Sequence, residues 1–293
     1  MIKKYISMID SLSLKLRNFL LNINTLELNS KLLIIKLKKQ LSQKKIPSYI
    51  LDGYKVYSQN DEDGIIESIF KDIGIKNKIF IEIGIGNGIE NNSHNLILHD
   101  WKGIWIDSNN KKIKKLQKII NNNKKLIIEN KKITKENINE IIKKFLFKLL
   151  KTKDINNIDF FSIDIDSLDI FCVEKLDIIK PRVICIEYNS KFPPPIELSI
   201  NFNLDKEWDH DDYHGASLSY IVNKLSKKGY KLISTNITGS NAFFVSNEYY
   251  NKCKTKNQTI DQLYMPPNYN LFNFYQAHKP SIKFLIDKIN FEK

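Results

Sequence analysis

The residues Phe80-Ile81-Glu82-Ile83-Gly84-Ile85-Gly86-Asn87-Gly88, with Asp107 further along, have the types and spacing to hold an adenosine-bearing ligand. An apolar strand ending in an acid and a Gly-x-Gly-x-Gly turn, followed one β-α unit later by a second acid, is how a doubly wound sheet receives such a cofactor. Glycine lacks a Cβ, so the turn can adopt positive φ and lay its backbone against the ligand. Asp107 would accept both ribose hydroxyls, because one carboxylate takes two hydrogen bonds. Ser108 follows it, and Asn130, at the end of the next predicted strand, is in reach of an adenine edge. A dinucleotide needs Gly-x-Gly-x-x-Gly to bring a helix N-terminus to its pyrophosphate, and Ile89 stands at the third position. The acid at Glu82 suits a cationic ligand better. The alternative is a glycine-rich turn with no ligand at all.

A second set of polar residues follows the fourth and fifth predicted strands. Asp164 and Asp166 lie at the end of the fourth, Glu187 and Asn189 at the end of the fifth, and both pairs face the crevice where such sheets bind ligands. These acids and the amide can together hold a magnesium-type cation, which would bind an acceptor oxygen and lower its pKa. Without a metal, Asp164 contacts the cofactor, Asp166 caps the next helix and Glu187 satisfies buried backbone donors. Asp164 and Glu187 are expected to be essential in both cases. The stretch Asp205-Lys206-Glu207-Trp208-Asp209-His210-Asp211-Asp212-Tyr213-His214 is an acidic island in a basic chain. His214 is its candidate general base, since an unperturbed imidazole titrates near neutrality, and a plain surface histidine is the competing reading. Trp208 and Tyr213 either stack on a sugar or pack the loop down. The aromatic segment from Leu263 to Tyr275 lines an acceptor groove or covers core.

Positioning these groups requires alternating strands and helices, and the pattern supplies them. Strands are predicted at Lys78 to Ile83, Gly103 to Asp107, Lys125 to Glu129, Asp159 to Asp164 and Arg182 to Tyr188. Helices fall at about Ser93 to Asp100, Asn110 to Asn121, Lys135 to Lys151 and Asp169 to Ile179, with an earlier one running from Tyr57 toward Phe70. A long segment, Asn189 to Gly215, breaks the rhythm, and a helix at Ala216 to Lys228 restores it. The chain then closes with a hairpin, Tyr230 to Thr235 and Ala242 to Val245, whereas a Rossmann dehydrogenase sheet would end in a parallel strand. Residues 1–50 read as an extension of two amphipathic helices, Lys3 to Leu21 and Ser30 to Leu41, whose apolar stripes must be covered by residues 51–250 or by a second copy. Residues 251–293 form an aromatic and helical tail.

Composition narrows the classes. A chain of 293 residues with 42% hydrophobic content can bury a full core. No apolar run reaches the length of a membrane-spanning helix, no signal peptide is read at the N-terminus, and Cys172, Cys185 and Cys253 are too scattered for a disulfide framework or zinc site, so a cytoplasmic location is expected. The net charge of +13 is carried almost wholly by lysine, with arginine only at positions 17 and 182, which argues against nucleic-acid recognition. A nucleic-acid methyltransferase would also carry an Asn-Pro-Pro-Tyr type turn after the fourth strand, where this chain has Asp164-Ile165-Asp166-Ser167.

Glu82-x-Gly84-x-Gly86-x-Gly88 resembles motif I of S-adenosylmethionine-dependent methyltransferases. From Tyr57 to about Val245 the chain resembles the FkbM-type family of these enzymes. The resemblance rests on Ser58-Gln59-x-x-Glu62-Asp63-Gly64-Ile65-Ile66, Asn92-Ser93, Gly103-Ile104-Trp105-Ile106-Asp107, Ser162-Ile163-Asp164-Ile165-Asp166, Ile186-Glu187-Tyr188-Asn189, Gly215-Ala216-Ser217-Leu218 and Gly239-Ser240-Asn241-Ala242-Phe243-Phe244. It implies a Rossmann-like class I fold, a seven-stranded α/β sheet with a terminal antiparallel hairpin. It also implies methyl transfer to a hydroxyl of a sugar, polysaccharide or natural product, with Gln59 and Asp61 closing over the methionine end of the cofactor. Ser167 departs from the pattern, standing where a glycine is usual. A non-catalytic adenosine-binding or scaffold protein is the reading from another class.

Overall fold

The computed structural model describes residues 25–120, 124–151, 156, 158–202, 211–272 and 280–290. Seven strands form one sheet: β1 (Ile79–Ile83), β2 (Lys102–Asp107), β3 (Leu126–Asn130), β4 (Phe160–Ile163), β5 (Val183–Glu187), β6 (Tyr230–Thr235) and β7 (Asn241–Ser246). Their order is β3-β2-β1-β4-β5-β7-β6. The first five pair in parallel, and β7 enters antiparallel between β5 and β6. This strand order with an inserted antiparallel strand is the Rossmann-like fold of class I methyltransferases.

Alternation along each parallel strand feeds two cores, because successive side chains leave a strand on opposite faces. Ile79, Ile81 and Ile83 of β1 join Ile104 and Ile106, Phe161 and Ile163 under α4 (Ile138–Leu150), α5 (Asp169–Lys175) and α6 (Leu218–Lys227). Phe80, Trp105, Phe160, Val183 and Cys185 face the other way, beneath α1 (Glu62–Ile73), α2 (His94–Leu98), α3 (Asn110–Ile119) and α8 (Lys283–Asn290); the short α7 (Ile260–Leu263) lies near β6. A third, smaller cluster joins Ile50, Ile237, Met265, Leu271 and Phe272 to Ile34, Leu37 and Leu41 of a helix over residues 25–43.

The strands fall within a residue or two of their expected places. The predicted helix Lys3 to Leu21 lies outside the described residues. One boundary moves for a clear reason: α1 starts at Glu62, not at Tyr57. The Asp63 carboxylate accepts the backbone N–H groups of Val56, Tyr57 and Ser58 at 2.7 to 2.8 Å, together with the Ser58 hydroxyl. Those contacts hold residues 56–58 as a loop folded back on the first turn of α1.

Candidate functional site

The switch point of the sheet lies between β1 and β4, where the strand order reverses. Gly84 leaves β1 with φ +88°, its N–H donating to the Ile106 carbonyl at 2.8 Å. A Cβ at Gly84 would stand 1.6 Å from the Asp164 carbonyl oxygen, so no other residue lets the ends of β1 and β4 pass. Gly86 (φ +59°) is constrained differently: a Cβ there meets nothing nearer than Lys112 Nζ at 4.0 Å, so the requirement is its left-handed backbone and the loop's outer face stays open. Gly88 packs the turn against Trp105 and Leu116.

The Gly86 N–H donates to Asp107 Oδ2 at 2.7 Å, and the Asn109 N–H to Oδ1 at 2.7 Å. A carboxylate offers about four lone-pair directions, so roughly two remain for a ribose diol. Asn130 spends its amide N–H on the Asp107 carbonyl at 2.9 Å, which locks the ends of β2 and β3 together. Ser108 is exposed next to Asp107, and Gln59 is exposed in the segment before α1. An open glycine cradle with a half-buried diol acceptor beside it fits an adenosine cofactor.

Glu82 requires a correction. It is buried, and its carboxylate accepts the Asn91 amide (2.8 Å), the N–H groups of Asn92 (2.7 Å) and Ser93 (2.9 Å), and the Ser93 hydroxyl. Burial raises its pKa while these donors lower it. Glu82 therefore anchors loop 91–93, its carboxylate spent on the chain's own donors. Trp105 Nε1 donates to Ser93 Oγ at 2.7 Å and completes the anchor. His94, which sequence reasoning missed, sits under the glycine turn with Nδ1 2.8 Å from the Gly88 carbonyl and its ring stacked 3.8 Å from that of Tyr57. Burial lowers its pKa to about 4, so the ring is neutral and ties the turn to the Tyr57 wall. Glu62 was also read too weakly: its Oε1 accepts the amides of Asn60, Asn236 and Asn241, fastening that wall to the β6–β7 turn.

Asp164 lies just past β4, its N–H on the Ile83 carbonyl at 3.0 Å, and Glu187 ends β5. Neither carboxylate has a hydrogen-bond or ion-pair partner among the described residues. Asp164 is exposed and Glu187 half-buried, and both stand close to other acids. Burial first, then the charges of Asp169, Asp166, Glu82 and Glu62, push its pKa to about 8. Burial and then Asp164, Asp169 and Asp166 push Glu187 well above the ordinary carboxylate range.

The expected metal quartet of Asp164, Asp166, Glu187 and Asn189 does not assemble. The strands stop at Ile163 and Glu187, so the two-residue repeat that would align each pair ends too early. Asp166 turns outward with φ +53°. Asn189 is buried, giving its amide N–H groups to the carbonyls of Asp212 (2.9 Å) and His214 (3.0 Å) and its oxygen to the Lys191 N–H (3.2 Å). Among the described residues no group of three acids, histidines or cysteines is arranged to hold a metal ion. Asp169, not Asp166, holds the start of α5, its Oδ1 accepting the Ile165 N–H at 2.8 Å. Burial raises the Asp169 pKa to about 7.

Asn189 also braces the loop carrying His214. A cavity of about 130 Å³ lies there, lined by Asn189, Phe192, Ile200, Tyr213, His214 and Ser217 among others. His214 is half-buried, and burial lowers its pKa against the opposing pull of Asp211 and Asp212. Trp208 lies outside the described residues. In the tail, Leu271 and Phe272 are buried as core cover, while Tyr264 donates to the Ser190 carbonyl at 2.6 Å and Tyr269 lies 2.9 Å from Ser190 Oγ.

No family model matches the sequence, and no curated protein matches it. Among solved structures it is similar to a SAM-dependent methyltransferase from Aquifex aeolicus, at 12% identity over 71% of this chain and 96% of that one, TM-score 0.34. It is similar to the N-terminal domain of EvdMO1 with SAH bound, at 8% identity over 72% and 94%, TM-score 0.38. A chain from Galdieria sulphuraria assigned as a sarcosine dimethylglycine methyltransferase matches at 11% identity, TM-score 0.33, over 68% of this chain and 63% of that one, so under two thirds of its length is spanned. At these scores the backbones agree only in their gross course.

Proposed function

We propose that the chain is an S-adenosylmethionine-dependent methyltransferase of the FkbM type, acting on a hydroxyl oxygen of a sugar, polysaccharide or natural product. The observation that carries this is Asp107, poised at the tip of β2 on the Gly86 N–H beside the open face of the glycine loop. The antiparallel β7 speaks for the same cofactor over a dinucleotide. When bound, the cofactor supplies a methyl group on a cationic sulfur. Asp107 would take the ribose hydroxyls, Ser108 and Asn130 would border the nucleoside, and Gln59 would close from the segment before α1. Asp164 and Glu187 would orient the acceptor hydroxyl and accept its proton as the oxygen gains its methyl group. A carboxylate with its pKa raised toward neutrality is a better proton acceptor than an ordinary one. His214, lining the neighbouring cavity, is the candidate for the same task from the acceptor side.

Isothermal titration of the full chain with S-adenosylmethionine, S-adenosylhomocysteine and NAD tests the reading. Saturable binding of the first two alone is expected. Binding of NAD alone, or of none, overturns it. Transfer of labelled methyl to a panel of glycans and hydroxylated natural products then tests the acceptor class.

A further inference from the structure

We infer that the solvent face of the helix over residues 25–43 is a docking surface for the anionic surface of a lipid bilayer. One side of this helix is accounted for: Ile34, Leu37 and Leu41 pack on the Ile237–Met265 cluster, and Lys38 Nζ donates to the carbonyls of Leu51 and Gly53. The other side is not polar, as a solvated face would be. Leu28, Leu32 and Ile35 are 57%, 54% and 62% exposed, and their spacing of four and three residues places them in one stripe. Lys31, Lys36 and Lys39 are exposed alongside it.

Charge decides the occupant. Glu27 is the one acid between residues 25 and 43, and it already pairs with Lys31 at 2.6 Å. A second copy of the helix would bring the same lysines and, as its one acid, a Glu27 already paired with Lys31. Residues 1–24 would bring Lys3, Lys4, Lys15 and Arg17 against Asp10, in a chain of net charge +13. A bilayer with anionic headgroups meets both demands at once, taking the aliphatic stripe into its headgroup–acyl boundary and the lysines at its surface. No helix among the described residues is long and apolar enough to cross a membrane, so the helix would lie on the surface. It would lie close to the cleft, since Lys38 holds the Gly53 loop that packs on Asp61.

Co-sedimentation of the full chain with vesicles of phosphatidylcholine alone, and of phosphatidylcholine mixed with phosphatidylglycerol, tests this. Binding to the mixed vesicles only, weakening as salt is raised, is expected. Lys36→Gln with Lys39→Gln should weaken it roughly thirtyfold at low salt. Leu28→Ser, Leu32→Ser and Ile35→Ser together should weaken it at least about tenfold, with an unchanged far-ultraviolet spectrum because all three side chains are exposed. Absence of binding to mixed vesicles, binding indifferent to both sets of substitutions, or a dimer by light scattering that the serine variant dissolves would each overturn the proposal, the last assigning the stripe to a second copy.

Discussion

Replacing Asp107 by alanine should cost the cofactor its ribose contacts while sparing the fold. Hydrogen bonds to a charged acceptor contribute about 1.5–3 kcal/mol each, so losing two costs about 3–6 kcal/mol, or roughly 10²- to 10⁴-fold in Kd. Asp107→Asn keeps one acceptor oxygen and should lose about half of that free energy, roughly 10- to 10²-fold. In the free protein the substitution strips an acceptor from the Gly86 and Asn109 N–H groups, but Asp107 is only half-buried and water can replace it, so unfolding should shift by about 1 kcal/mol or less. The effect therefore reads in affinity and hardly in melting temperature. Titration calorimetry with S-adenosylmethionine and S-adenosylhomocysteine separates the ribose from the sulfonium, because the two share the first and differ in the second. Equal losses for both are expected. Unchanged affinity in Asp107→Ala, or a loss confined to the sulfonium form, would refute the assignment.

Glu187→Gln should lower kcat by about 10²-fold or more with little change in cofactor affinity, whereas Asp164→Asn should weaken both; full activity in both variants would end the proposed roles. If Asp164 takes the proton, kcat/KM should climb as pH rises through about 8 and that limb should vanish in Asp164→Asn. Ser167, buried with φ +93°, occupies backbone that glycine adopts freely, so Ser167→Gly should raise stability by about 1 kcal/mol, read as a higher melting temperature. Asp61 is fully buried, accepts the Ile237 N–H, and has its pKa raised to about 8 by burial and by Glu62. A raised carboxyl pKa stabilises the fold fully below the unfolded value near 4, and that contribution is lost as pH rises through 8. Asp61→Asn should therefore flatten the decline in stability between pH 5 and 9, by up to a few kcal/mol at the alkaline end, measured by urea unfolding.

What was legible in the chain followed from periodicity. Isoleucine and phenylalanine alternating with their neighbours on both covered faces gave the parallel strands, and the Asn236 to Asn241 turn gave the closing hairpin. The glycines were legible because each stands where geometry forbids a side chain or demands positive φ, and Asp107 because it ends a strand beside them. The polar residues were harder, for a physical reason. A carboxylate at a strand end looks the same in sequence whether it faces a ligand or receives backbone amides from a loop ten residues away. Glu82 and Asn189 went to loops, Glu82 holding residues 91–93 and Asn189 the carbonyls of Asp212 and His214.

That distinction also sorts the acids that remain. Asp63, Asp159, Asp169 and Glu62 are buried and each carboxylate accepts from named donors, Asp63 through Oδ2 and Asp159 from the N–H groups of Asn77 and Lys78 and from Arg182, so these acids serve the scaffold. Asp164 and Glu187 have no donor of their own among the described residues, and burial first, then neighbouring acids that include Asp169 and Asp166, raises both pKa values. A fold keeps repelling, unpartnered carboxylates at its switch point against a stability cost. A proton or a cationic ligand arriving there relieves that repulsion, and a hydroxyl acceptor placed beside a methyl donor delivers the first while the donor itself is the second. Binding of a sulfonium should then release protons from the cleft near pH 7, and binding of the neutral thioether should release fewer. Calorimetry in two buffers of different ionisation enthalpy measures that difference, and equal proton release for the two ligands would remove the carboxylates from the account.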